Sequence, residues 1–157
     1  MRLRIAVLLL GMSAVAGAQS SSGYLFFAPG GVTAVGQTQA TYHAGGGLDA
    51  HLVKGLGLNV ELGMLFPKEY FMDLVGVFSP GGTYYFRRGE GLKLQPFVAG
   101  GYSMIFRNGH ANLYYFGGGI NYWFARRVGV RVEFRDHIYP YDRLVHYWGV
   151  RMGVAFR

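Results

Sequence analysis

The sequence predicts an all-β protein, an eight-stranded antiparallel up-and-down transmembrane β-barrel. Three observations carry that prediction. Glycine supplies 26 of 157 residues, about twice the ~7% usual in globular chains. Charged residues make up 15% against a usual ~25%, too few to cover an ordinary soluble surface. The chain ends in "HYWGVRMGVAFR", with Trp148, Val150, Met152, Val154 and Phe156 in one register and Tyr147, Gly149, Arg151, Gly153 and Ala155 in the other. Such a period of two marks a strand with two unlike faces.

Residues 1–18 read as a secretory signal peptide. Arg2 and Arg4 precede a short apolar run at 5–10 and the small-residue stretch Ala16, Gly17, Ala18, the order of an export leader. The run falls far short of the ~20 residues a spanning helix needs. Cleavage after Ala18 leaves one barrel domain, 19–157, and loss of the two arginines lowers the formal charge from +7 to +5.

Seven strands precede the terminal one. The first lies near 23–28. The second, "YHAGGGLDAHL", sets Ala44, Gly46, Leu48, Ala50 and Leu52 against His43, Gly45, Gly47, Asp49 and His51. In the third, "GLNVELGML", Leu58, Val60, Leu62 and Met64 oppose Asn59, Glu61 and Gly63. A less regular fourth, near 74–86, contains Pro80-Gly81-Gly82, and a proline that removes a ladder donor suggests a bulge or bend there. The fifth, "QPFVAGGYSMIFR", sets Val98, Gly100, Tyr102, Met104 and Phe106 against Phe97, Ala99, Gly101 and Ser103. "LYYFGGGINYWF" near 113–124 is the sixth. The seventh, "VGVRVEFRD", is the most regular: Val128, Val130, Val132 and Phe134 against Gly129, Arg131, Glu133 and Arg135.

The connections fall into two sets. Short basic turns are expected at 53–57, 87–91 and 125–129, and two of them follow the aromatic triplets Tyr84-Tyr85-Phe86 and Tyr122-Trp123-Phe124. Longer connections are expected at 29–40, 67–73, 107–111 and 137–146. Short inner turns, longer outer loops and aromatics at strand ends belong to an outer-membrane barrel.

The face that is not apolar decides which side meets lipid. It is mostly Gly, Ala and Ser, a poor solvent surface but a good filling for a narrow eight-stranded lumen. Its charges, Asp49, Glu61 and Glu133 with Arg131, Arg135 and Arg151, must then pair, because an unpaired buried charge is costly. The expected role of these six is to fix the barrel, not to conduct ions. Eight strands leave no wide pore.

The leader, the alternating strands and the final "VRMGVAFR" resemble the small eight-stranded outer-membrane β-barrels of Gram-negative bacteria, such as the membrane domain of outer-membrane protein A. The resemblance implies an outer-membrane location among outer-membrane lipids and lipopolysaccharide. It also implies biogenesis through periplasmic chaperones and the barrel-assembly machinery. The machinery would read Trp148, Val150, Met152, Val154 and Phe156 as its signal; Arg157 departs from the pattern by following the terminal Phe.

Other chemistries find little support. There is no cysteine, hence no disulfide or thiol chemistry. Scattered basic residues in an exported chain argue against nucleic acid. The glycine runs at 45–47 and 117–119 lie inside strands and cradle no phosphate. His43 and His51 sit ~26 Å apart along a strand, and His137 and His146, with Asp136 and Asp142 near, show no recognised metal spacing. No cofactor is expected.

Lipid A deacylases built on eight-stranded barrels use a His-Ser-acid set, and "RDHIYPYD" offers His137 and Asp136. Their His-x-Ser pairing reads His137-x-Tyr139 here, and Ser103 has lumen parity, so the nucleophile that hydrolysis needs is missing. The leading expectation is a non-enzymatic barrel with a structural or surface-interaction role. Tyr70, Phe71, His137, Tyr139, Tyr141 and Arg143 in the outer loops would be its contact residues. A lipid A-modifying enzyme and a soluble periplasmic lipocalin-like binder are the alternatives.

Overall fold

A computed structural model describes residues 20–69, 73–86, 92–140 and 144–157. The signal peptide and the candidate loop residues Tyr70, Phe71, Tyr141 and Arg143 lie outside the described residues. Eight strands follow one another: β1 (Ser20–Ala34), β2 (Gln37–His51), β3 (Leu56–Pro67), β4 (Val75–Tyr85), β5 (Leu94–Phe106), β6 (His110–Trp123), β7 (Val128–Tyr139) and β8 (Val145–Phe156). Each pairs antiparallel with the next, and β8 returns to β1, so the barrel is closed. Closure satisfies the backbone without leaving a sheet edge, which is what hydrocarbon requires of a spanning sheet.

The period-two pattern resolves into two surfaces. Leu25, Leu62 and Phe134 are 62%, 60% and 48% exposed, whereas Glu61, Glu133 and Arg135 are each 1% exposed. The large apolar side chains point out and the charges point in. A soluble lipocalin-like barrel needs the opposite arrangement, and that alternative fails on this inversion.

The lumen holds more aromatic mass than its parity partners Gly, Ala and Ser suggested. Tyr24, Phe26 and Trp123 form one buried cluster with Ala28 and Ala155, and Tyr85, Phe97 and Tyr115 a second with Ala99. Both aromatic triplets split by strand parity: Tyr84, Phe86, Tyr122 and Phe124 face outward, while Tyr85 and Trp123 fill the lumen. Room for these rings comes from glycine. A side chain at Gly81 or Gly101 would collide with the Tyr115 ring and with the facing strand.

Three expectations about connections are corrected. The expected loop at 29–40 is strand throughout except for a two-residue turn. Ala34 pairs with Gln37, and Val35 (φ 50°) and Gly36 (φ 77°) both adopt left-handed backbone, the signature of a type I′ hairpin. The expected bulge at Pro80 is absent, since the β4–β5 register is the same on both sides of it. Ser79 and Pro80 merely lack ladder partners on β5, as Ala28 and Pro29 do on β8, so each proline sits where no donor is needed. Finally, the connections at the end away from the termini span two, seven, three and five residues, and those at the terminus-bearing end four, eight and four. The difference in length between the two ends does not hold.

Candidate functional site

The lumen is crossed by one connected lattice of charges. Period two places Arg131, Glu133 and Arg135 of β7 on the same inner face, and Asp49 of β2, Glu61 of β3 and Arg151 of β8 reach them from the other walls. Near the terminus-bearing end, Asp49 accepts from Asn59 and Thr83 through Oδ1, both at 3.0 Å, and from the Tyr85 hydroxyl and Arg131 Nη1 through Oδ2 at 2.8 and 3.2 Å. Higher up, Glu133 accepts from Arg131 Nε at 3.2 Å and from Arg135 Nε at 2.5 Å. Glu61 accepts from Tyr24, from Arg135 Nη1 and from both terminal nitrogens of Arg151.

Three cations thus meet three carboxylates. Each guanidinium also lies over a ring: Arg131 over Tyr24 and Phe97, Arg135 over Tyr115, and Arg151 over Phe26, at 3.9–4.4 Å from the centroids. Cation–π contacts of this kind add up to about 2 kcal/mol when desolvated. The arrangement is a plug of balanced charge.

Above the plug sits a histidine–serine group. Arg151 Nη2 lies 3.3 Å from His43 Nδ1, Ser103 Oγ lies 3.0 Å from His137 Nδ1, and Ser79 Oγ lies 2.6 Å from Ser103 Oγ. The two imidazole centroids are 5.9 Å apart. A cavity of about 20 Å³ beside them is bounded by Thr41, His43, Arg135, His137, Tyr147 and Arg151, room for about one water. Among the described residues no group of three or more His, Cys, Asp or Glu is placed to hold a metal ion.

His137 therefore does not belong to a loop: it is a buried strand residue of the lumen, 6% exposed. Tyr139 is the last residue of β7. Consecutive strand residues face opposite sides, so Asp136 points outward and cannot orient His137. Its partner is His146, with Nδ1 2.6 Å from Asp136 Oδ2.

Beside that pair Trp148 Nε1 donates to Thr33 Oγ1 at 3.1 Å, and Thr33 stands opposite His146 in the β1–β8 register. This outward polar group at the end of the barrel away from the termini escaped the sequence reading. Assigning 29–40 and 137–146 to loops hid the fact that Thr33, Asp136 and His146 share one face of three adjacent strands. On β8, Trp148, Val150, Met152, Val154 and Phe156 all face outward along the seam that closes the barrel.

No protein-family model matches the chain, and no curated protein does either. Solved structures do. The chain is similar to the N-terminal β-barrel domain of Pseudomonas aeruginosa OprF, with 18% identity and a TM-score of 0.64, covering 88% of this chain and 98% of that one. It is similar to Neisserial surface protein A, with 12% identity and a TM-score of 0.66 over 89% and 98% of the two chains. For Ail, the attachment invasion locus protein of Yersinia pestis, the values are 12% and 0.55 over 87% and 97%. The fold is thus that of the small eight-stranded barrels of Gram-negative outer membranes.

Proposed function

We propose that the chain is exported, inserted in the outer membrane with both termini periplasmic, and acts there as a structural or surface-interacting barrel. One observation carries this reading: the lumen is occupied from wall to wall by the Asp49–Arg131–Glu133–Arg135–Glu61–Arg151 lattice and the rings stacked on it. A barrel plugged in this way has only its outside to offer. Lipopolysaccharide and outer-membrane lipids are its surroundings. Periplasmic chaperones and the barrel-assembly machinery, acting on the β8 face, are its partners during biogenesis.

The test is fractionation of expressing cells, combined with gel mobility of unboiled and boiled samples. A membrane-bound protein whose mobility changes on boiling supports the reading, and a wash-soluble periplasmic protein would sink it.

A second reading, lipid modification at the outer leaflet, is favoured by the outward Asp136–His146 pair. A carboxylate that orients an imidazole is two-thirds of a hydrolytic set, and Thr33 supplies a hydroxyl at the paired position. Mass spectrometry of lipid A from cells with and without the protein tests it. Loss or gain of an acyl chain that disappears in His146→Ala would support the enzyme; an unchanged profile leaves the structural barrel.

A further inference from the structure

Among the described residues, the end of the barrel that bears the termini carries exposed cationic side chains and no exposed carboxylate side chain. Lys54 lies in the β2–β3 turn, Lys93 just before β5, Arg126 and Arg127 in the β6–β7 turn, and Arg157 directly after β8. All five are exposed. The six described carboxylates lie elsewhere. Asp49, Glu61 and Glu133 are locked in the lumen, and Glu69, Asp73 and Asp136 belong to the opposite end. There they are offset by Lys68 and Arg107, and two of them are already engaged, Asp73 by Arg107 and Asp136 by His146. Within the described residues, the terminus-bearing end is therefore five side-chain charges positive and the other end one negative.

The distribution of these cations identifies their partner. A docked protein or nucleic acid would meet a patch on one side. Here Lys54, Lys93, Arg126 and Arg127 fall in the three successive turns of this end, before β3, β5 and β7, so they are spread around the barrel at one level, while Arg157 lies over the lumen ring of Trp123. Next to them along the strands stand outward-facing Tyr84, Phe86, Tyr122 and Phe124, the amphipathic rings that settle at a headgroup boundary. Only a lipid surface surrounds a barrel at constant depth.

We propose that this ring binds the phosphate headgroups of anionic phospholipids in the leaflet facing the termini. The proposal rests on the membrane reading above and adds a lipid class to it. Cations close to an anionic leaflet each gain from its surface potential and lose that gain within a Debye length. The opposite end, slightly negative, has no such attraction, so the ring also favours one orientation in an asymmetric bilayer.

The experiment uses the mature chain refolded into vesicles of phosphatidylcholine, with and without phosphatidylglycerol. Native mass spectrometry then reads which lipid stays bound after release into detergent. Wild type is expected to retain phosphatidylglycerol over phosphatidylcholine, and the preference should fade in high salt. The variant Lys54→Gln/Lys93→Gln/Arg126→Gln/Arg127→Gln should lower that preference by roughly tenfold while inserting into phosphatidylcholine as wild type does. Lys68→Gln, at the other end, should leave it unchanged. Equal retention of both lipids by wild type, or an undiminished preference in the fourfold variant, would overturn the ring. Failure of wild type to insert into either vesicle would overturn the membrane reading along with it.

Discussion

Arg151 and Glu61 meet in a two-pronged ion pair across the lumen, with Nη1 2.7 Å from Oε2 and Nη2 2.5 Å from Oε1, although 90 positions separate them in the chain. One residue comes from β8 and the other from β3, so the pair ties the last strand to a wall three strands away. Parallel N–H···O⁻ bonds of this geometry are among the stronger polar contacts a protein makes. They are also demanding: without Glu61, Arg151 keeps only Glu133 at 3.9 Å as a carboxylate partner, whereas without Arg151, Glu61 keeps Arg135 and Tyr24.

Glu61→Ala should therefore destabilise the folded barrel by about 3–5 kcal/mol, the usual penalty for breaking one side of a buried pair. Arg151 and Arg135 would both lose a carboxylate. Glu133→Ala, which leaves Arg131 only Asp49 and Arg135 only Glu61 as carboxylate partners, should cost a similar amount. Urea unfolding in detergent micelles measures both, and wild-type midpoints would show that the lattice does not support the fold.

The same lattice predicts an electrically quiet barrel. Planar-bilayer recordings of wild type should show no resolvable steps. Glu61→Ala/Arg151→Ala removes both halves of the crossbar together and leaves Arg135 paired to Glu133, and it should introduce small steps. Large steps in wild type would contradict a plugged lumen.

Val35 is a β-branched residue in left-handed backbone, with φ 50°, a conformation that costs roughly 1–2 kcal/mol for an L-residue and that type I′ turns normally give to Asn or Gly. Val35→Asn should raise stability by about 0.5–1 kcal/mol, read as a higher urea midpoint. A lower midpoint would mean that the valine side chain makes a contact worth more than the strain.

Much of this architecture was legible in the chain because a strand's period of two is short and strict. Arg131, Glu133 and Arg135 could be assigned to one face from sequence alone, and the small residues that dominate that face implied that it was internal. Depth and register were harder. Pro29 and two glycines read as a loop, yet they lie in β1, where the β8 ladder lapses opposite Ala28 and Pro29. Pro80 read as a bulge for the same reason. The Asp136–His146 pair needs the β7–β8 register to be seen, because the two residues stand diagonally across the seam. Local alternation says which face a residue is on; only the pairing says what stands beside it.

The assignment of faces itself has a direct test. Leu62 is exposed at mid-strand on β3, while Val53 is exposed in the turn at the terminus-bearing end. An arginine on the lipid face of a barrel costs about 2–4 kcal/mol at the bilayer midplane and about 0–1 kcal/mol near the interface. Leu62→Arg should thus lower the unfolding free energy in vesicles by the larger amount and Val53→Arg by the smaller. In a soluble barrel both substitutions would place a charge in water and neither would matter much. A depth-dependent penalty identifies hydrocarbon outside the barrel, and equal, negligible effects would reverse the assignment of its faces.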